Sequence, residues 1–534
     1  METSFAAADS YWKYLESTGS TLDSDVLSRL ATSLEGTDWD NPTSATELNN
    51  CAVVALVEAE QCEDLSMREL YLEMALEALN NGVKLHDHPL CAAHLALVLA
   101  MTGEMEQAIE TAFPTFVKTL QPSYVNDNPI PPSIVYLPRS NAFTDSRYEE
   151  LTQILQSEHG YTQSLLLLSA VLCRSQLVFY NSTGLRFLHL ATQLFPNSSH
   201  LNLMLGISSL VNSQWEGILY LHHARTLVPD SATILQTLYL AYRDLQQIQV
   251  ADFWLDIGRD ISKKNQHSLD WNWVSLEANS LITYVPFEAQ ILLAVEPSLR
   301  SLVTSVLIAE GDWFEKEMEF WRNWLKPGMT VIDVGANVGV YTFSAALQVG
   351  AEGCVLAVEP FSGCVRCLQE TCRINQLSWV KVCAGAASDR NGKVRLSLHT
   401  ASELNEVVSG DAEEIMKPGT FEEVACFTLD SLIEQENVDQ VDFLKIDAEG
   451  HEIKVLEGCD RILKEFSPTI LYENIAARKG SNLAVADFLI ARGYQLFRYQ
   501  PYLQQLIPLN STNDLQGRLN IIAFPQSTIS ALSS

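Results

Sequence analysis

Between residues 331 and 347 the chain changes its periodicity in a way that few folds accommodate. Val331-Ile332-Asp333-Val334 is β-branched around one acid and follows the turn pair Pro327-Gly328, so it reads as a short buried strand. Gly335-Ala336-Asn337-Val338-Gly339 then marks a tight turn. From Val340 to Leu347 aromatic and small apolar residues recur at helical spacing. Strand, glycine loop and helix in that order make the first unit of a nucleotide-binding α/β sheet, in which N–H groups at the helix start are expected to face a ligand.

The loop narrows the choice of ligand. A phosphate-binding P-loop requires Lys-Ser/Thr after its last glycine, and here Val340-Tyr341 follows. A dinucleotide fingerprint has a central glycine where the pyrophosphate approaches, and Asn337 fills the nearest equivalent place. Phosphate is disfavoured, whereas S-adenosylmethionine, with a carboxylate, an ammonium and a sulfonium, would use both Asp333 and the amides of the Gly335–Gly339 loop. The next strand, Cys354 to Val358, ends at Glu359-Pro360, where this fold places an acid on ribose hydroxyls. Asp333 and Glu359 are therefore expected to bracket one cofactor.

The series Asp333-Val-Gly-Ala-Asn-Val-Gly339, Val358-Glu-Pro360, Ala387-Ser-Asp-Arg-Asn-Gly392, Thr428-Leu-Asp-Ser-Leu432 and Lys445-Ile-Asp-Ala-Glu-Gly-His-Glu452 resembles the FkbM-type family of S-adenosylmethionine-dependent methyltransferases. The resemblance spans roughly residues 300 to 525, and its most specific element is the Lys445–Glu452 stretch. It implies methyl transfer to a hydroxyl, on a sugar, glycan or natural product, and leaves the acceptor open. The expected fold is an α/β class I methyltransferase, with a Rossmann-like seven-stranded sheet whose last two strands are Tyr494–Phe497 and Leu519–Phe524.

In a central parallel strand both faces are covered, so Lys445 in Phe443-Leu-Lys-Ile-Asp447 must meet an acid or lie at the strand's end. The neighbours of the usual strand order make Asp333 and Glu473 its candidate partners. Asp447 falls just outside the carboxyl end of that strand, where open α/β sheets bind ligands. Removing a hydroxyl proton during in-line methyl transfer needs a base, and Asp447, Glu449 and His451 are the candidates, with Asp447 first and Lys445 beside it. Glu449 and Glu452 have the alternative of capping the following helix. Ser388 and Asp389 are expected to flank the adenine. A divalent metal on the carboxylates would serve the same chemistry, but no motif indicates one.

The rest of the chain bounds these readings. Among 534 residues the net charge is −32, with the excess of acids in both halves, which disfavours a nucleic-acid substrate. Eleven cysteines scattered among apolar neighbours fit reduced thiols, and no apolar run approaches the roughly 20 residues of a membrane span. A cytosolic protein is expected. Residues 1–45 read as a polar N-terminal segment with one weak helix, and 46–265 as an α-helical region interrupted by a proline-rich connector at about 119–145. Ala191-Thr-Gln-Leu-Phe-Pro196-Asn197 recurs as Ala224-Arg-Thr-Leu-Val-Pro229-Asp230, close to the tetratricopeptide period of about 34 residues. Such a solenoid offers a groove for a protein partner, or packs on itself. Residues 266–325 form a lead-in of two strands and an acidic, aromatic helix, and 326–534 form the methyltransferase domain. Thr400 to Thr420 is the candidate acceptor-binding loop. Two other readings stay open: a non-catalytic platform carrying a repeat scaffold, and a nicotinamide-dependent oxidoreductase.

Overall fold

The computed structural model describes residues 2–19, 22–86, 88–121, 130–138, 147–174, 182–264, 268–399, 405–408, 421–475 and 481–532. Residues 265–267, at the expected boundary, and most of the candidate acceptor loop, 400–404 and 409–420, fall outside the described residues. Two compact units divide the chain: Met1–Val228 with Pro501–Leu503, and Pro229–Gln500 with Gln504–Ser534. The division therefore comes earlier than the 265/266 boundary expected from sequence. The reason is that the hairpin Ala232–Asp244 and Ile248–Ser262 buries its inner face on the following segment. Tyr239 stacks on Trp273, Gln236 donates to the Tyr284 carbonyl, and Arg259 donates to the carbonyls of Val274 and Leu276.

The first unit is helical. Residues 1–45, expected to be a polar segment with one weak helix around Tyr11 to Leu30, carry two helices, Glu2–Thr18 and Ser24–Glu35, and Tyr11, Tyr14 and Leu15 are buried. Their anchor is the described part of the proline-rich connector, where Ser133–Leu137 is buried without regular secondary structure. The Tyr11 and Tyr14 hydroxyls donate to the carbonyls of Val135 and Leu137, and Tyr136 N–H donates to His94 Nε2. A buried chain outside helix and sheet needs partners for every N–H and C=O, and here side chains supply them. The two repeated segments end the helices Ser182–Leu194 and Gly217–Leu227, and each is followed by a serine N-cap, Ser198 and Ser231, that starts the next helix.

Among its described residues the second unit contains fourteen strands: β1 Thr283–Phe287, β2 Ile291–Val295, β3 Thr330–Val334, β4 Cys354–Glu359, β5 Val380–Ala384, β6 Ala386–Ala387, β7 Gly392–Ser397, β8 Val407–Val408, β9 Phe421–Phe427, β10 Phe443–Ile446, β11 Thr469–Glu473, β12 Tyr494–Gln500, β13 Gln505–Pro508 and β14 Asn520–Pro525. β1 and β2 make a hairpin, and β6-β9-β7-β8 a small separate sheet. The main sheet runs β13-β12-β14-β11-β10-β3-β4-β5 and has eight strands, not seven. The eighth is β13, which extends β12 as an antiparallel hairpin beyond the expected β12 and β14.

From β5 to β11 the strands are parallel, and β3 and β10 at the centre are sealed from both faces. One core joins Ile332, Leu356, Leu444, Ile446, Leu456 and Ile470, each essentially without solvent contact. Burying one such side chain is worth about 1.5–3 kcal/mol, so this layer fixes where the strand ends lie. No described helix is long and apolar enough to cross a membrane, and none of the ten cysteines whose side chains are described is in a disulfide.

Candidate active site

The carboxyl ends of β3, β4, β10 and β11 converge on one cluster of ionisable side chains. Register sets its centre: Lys445 of β10 pairs directly with Asp333 of β3. Lys445 Nζ lies 3.6 Å from Asp333 Oδ1 and 3.1 Å from Asp447 Oδ2, with the Tyr341 ring centroid at 4.7 Å. Of the two expected partners, Asp333 meets Lys445. Burial opposes the charge of Lys445, but Asp447, Asp333 and Glu315 together more than reverse this and raise its pKa. Lys445 therefore stays cationic, and a cation that holds its proton this firmly orients Asp447 instead of accepting a proton.

Asp333 is fully buried. Its Oδ2 accepts from Thr342 Oγ1 at 2.6 Å, while Oδ1 has no hydrogen-bond donor beside the Lys445 ion pair. Burial raises its pKa and Lys445 opposes that rise. Asp447, in contrast, keeps 36% of its side chain exposed, so it is the solvent-accessible member of the three.

The loop from Gly335 to Gly339 is closed on itself. Gly335 and Ala336 N–H donate to the Val358 carbonyl, Asn337 N–H to Glu359 Oε2, Val338 N–H to Asn337 Oδ1 and Gly339 N–H to the Ala336 carbonyl. Each of these amides thus has an acceptor within the protein. Glycine is required at 335 for space: φ is +74°, and a Cβ would fall 1.7 Å from the Asp447 carbonyl oxygen. Glu359 is nearly buried and receives Phe361 N–H at 2.8 Å as well as Asn337 N–H at 2.9 Å. Burial, with Asp333 and Asp447 adding, pushes its carboxyl up to about 7 against those two amides.

Behind β10 the turn is built by Glu452, which is sealed and accepts from the N–H groups of Ala448 and Gly450 and from Asn482 Nδ2. Glu449 and Gly450 both take positive φ in this turn. Of the two acids expected to cap this helix start, Glu452 serves the turn, while Glu449 brings a carboxylate near Asp447 and Glu473. One oxygen of each of these three residues lies within 4.8 Å of the others, and they are the residues that would hold a divalent metal. Burial and the charges of Asp447, Glu449 and Glu452 push the Glu473 carboxyl far upward and favour its protonated form.

His451 belongs to a different corner. Its Nε2 lies 3.1 Å from Ser388 Oγ, and the charges that act on it are Asp389, Lys454 and Arg390. Burial lowers its pKa, and Asp389 itself pairs with Lys454 at 3.1 Å. Ser388, Asp389 and His451 thus form one edge, distinct from the acids around Asp447.

Glu315, Tyr341 and Asn520 also meet at this site, and sequence reasoning does not find them. Glu315, in the lead-in, receives Tyr341 Oη at 2.6 Å and Asn520 Nδ2 at 2.7 Å on Oε2. Only the density of acids and aromatics from Trp313 to Trp324 marks this segment in the sequence. Tyr341 reads there as part of an apolar helix face, yet burial and Glu315 raise its pKa well above the ordinary value and keep its hydroxyl a donor.

No curated protein matches the chain. Among solved structures, the methyltransferase FkbM from Methylobacillus flagellatus is similar at 15% identity and a TM-score of 0.26, over 43% of this chain and 54% of that one. This chain thus spans about half of that protein. A SAM-dependent methyltransferase from Aquifex aeolicus is 18% identical over 39% of this chain and 88% of its own, at a TM-score of 0.22. M. jannaschii TYW2 in complex with AdoMet is 12% identical over 46% and 86%, at 0.23. Residues 333–496, from the buried Asp333 to the start of β12 in the second unit, match the family model of the methyltransferase FkbM domain.

Proposed function

We propose that the second unit binds S-adenosylmethionine and methylates a hydroxyl oxygen of a small-molecule or glycan acceptor. The observation that carries this reading is an excess of carboxylates around one lysine. Asp333, Asp447 and Glu315 act on Lys445, with Glu359 at the margin. A cationic ligand relieves that excess, and the residues present fit one: Asp447 is open, and each Glu359 oxygen keeps an acceptor site for a ribose hydroxyl. The same features weigh against a nicotinamide dinucleotide, whose pyrophosphate needs free loop amides. They also weigh against a purely structural platform, which has no use for so many uncompensated acids.

When bound, S-adenosylmethionine supplies a methyl group on a positively charged sulfur. The chain's own residues then have separable roles. Asp447, oriented by Lys445, would take the proton of the acceptor hydroxyl and so leave the acceptor oxygen as the nucleophile. Glu473, in its protonated form, donates a hydrogen bond to an acceptor oxygen. Ser388 and Asp389 flank the base, while Glu359 takes the ribose. His451, held on Ser388, serves that edge and not the proton transfer.

The repeats of the first unit, on this reading, hold a protein partner or a second copy of the chain. Transfer of radiolabelled methyl to hydroxylated acceptors tests the assignment. Asp447→Asn should lower turnover by roughly a hundredfold or more at unchanged cofactor affinity. If His451→Gln causes that loss and Asp447→Asn does not, the roles are reversed.

A further inference from the structure

The segment that delivers Glu315 lies outside the residues that match the family domain, and it is tied to the site by polar contacts. Glu315 Oε2 takes two donors at short range, Tyr341 Oη at 2.6 Å and Asn520 Nδ2 at 2.7 Å. Tyr341 is the second residue of the helix Val340–Val349, and Asn520 opens β14, where it pairs with Glu473 of β11. Three separate parts of the second unit thus converge to hold one carboxylate. Among the charges acting on Glu315 are Asp447 and Lys445. Holding a carboxylate this way costs conformational entropy and desolvation. A preorganised acceptor beside a ligand site offsets that cost when a cation arrives.

Position indicates which cation. In the sheet, β4 with Glu359 lies on one side of the β3–β10 pair, and β11 and β14 lie on the other. Glu315 is held by Asn520 of β14, on the other side of that pair from Glu359, and by Tyr341, which follows β3. If Glu359 takes the ribose, the group that reaches Glu315 is the far end of the same ligand, past the transferring centre. That end of S-adenosylmethionine carries a primary ammonium. Asp333, the acid that the glycine-loop motif points to, is sealed from solvent, with Thr342 on one oxygen and the Lys445 ion pair beside the other. Glu317, two residues on, is 2% exposed and offers no surface to a ligand.

Resting on the proposed cofactor, we infer that Glu315, held by Tyr341 and Asn520, binds the ammonium of its amino-acid end, which makes the lead-in segment part of the binding site. Charge-assisted hydrogen bonds of this kind are the strong class, and losing one weakens binding roughly tenfold or more.

The test is calorimetric titration of the full chain with three ligands: S-adenosylmethionine, S-adenosylhomocysteine, which keeps the ammonium, and 5′-methylthioadenosine, which lacks the amino-acid end. Glu315→Gln should weaken the first two roughly tenfold or more and leave the third within about twofold. Tyr341→Phe, which keeps the carboxylate and removes one of its donors, should show the same pattern with a smaller loss. Equal weakening of all three ligands by both variants would make Glu315 a structural residue and overturn the inference, as would unchanged affinity for all three. A wild-type chain that binds 5′-methylthioadenosine but gains nothing from the amino-acid end would overturn it too. Binding of none of the three removes the cofactor reading itself.

Discussion

Replacing Lys445 with methionine isolates the interaction at the centre of the sheet. The side chain is 5% exposed and sits between Asp333, with 0% exposure, and Asp447. Methionine fills similar volume, so the perturbation is electrostatic. Asp447 reaches solvent and can be hydrated, whereas Asp333 keeps only Thr342. Stranding one member of a buried pair costs about 3–5 kcal/mol, and Asp333 has little water to compensate. Its carboxyl, already raised by burial, would rise further and take up a proton. Because the chain has two compact units, global denaturation would mix their transitions. Amide hydrogen exchange in Val331–Val334 and Phe443–Ile446 reads the affected strands directly. Lys445→Met should accelerate it by roughly a hundredfold or more, since each 1.4 kcal/mol is about tenfold. Adding Asp333→Asn should recover at least half of that loss. Exchange within about threefold of wild type in Lys445→Met, or no recovery in the double variant, would refute the idea that Lys445 is retained to neutralise Asp333.

Three other groups give outcomes of their own. Glu359 has its carboxyl near pH 7, and hydroxyl donors from a ribose favour its charged form, so cofactor binding should release protons around pH 6–7 and tighten as pH rises through 7. Calorimetry in buffers of different ionisation enthalpy measures this release, and Glu359→Gln should abolish it. Glu317 is pushed from the ordinary 4.5 to about 7, chiefly by burial, and its Oε1 has no hydrogen-bond partner. The folded state holds this proton more tightly than the unfolded one, so the stabilisation is full below about pH 4.5 and is lost as pH rises through 7. Glu317→Gln should flatten that decline, seen as denaturation midpoints at pH 5 and pH 8 that converge. In the helical unit, a Cβ at Gly217 would fall 2.5 Å from the Gly206 carbonyl oxygen, which is backbone and yields only by moving a helix. Gly217→Ala should cost about 1–3 kcal/mol, confined to exchange in Ser199–Val211 and Gly217–Leu227.

Much of the site is legible in the sequence because it follows from strand periodicity. A charge in the middle of an apolar parallel strand has to find an acid, and the usual strand order makes Asp333 one of only two candidates for Lys445. The Gly450 turn and the ends of β3, β4 and β10 are legible for the same reason. The acceptors of the loop amides, among them Glu359, Asn337 and Val358, are not, because a glycine loop shows only that the backbone turns and not where its N–H groups point. Glu315 and Asn520 lie beyond reach because their meeting is tertiary, joining positions 205 residues apart through Tyr341. The boundary between units differs from the polar gap because such a gap marks a break in helix, not a break in packing, and Trp273 continues the packing past it. β13 is short and half-exposed, so it carries no strong alternation to read.

Equilibrium dialysis of the intact chain against S-adenosylmethionine and, separately, against a nicotinamide dinucleotide tests most directly whether the carboxylate-rich end of this sheet is built for a cation. Saturable binding of S-adenosylmethionine that Glu359→Ala weakens roughly tenfold or more, with no binding of the dinucleotide, is the predicted result. Saturable binding of the dinucleotide, or S-adenosylmethionine affinity that Glu359→Ala and Glu315→Ala leave unchanged in folded protein, would contradict it.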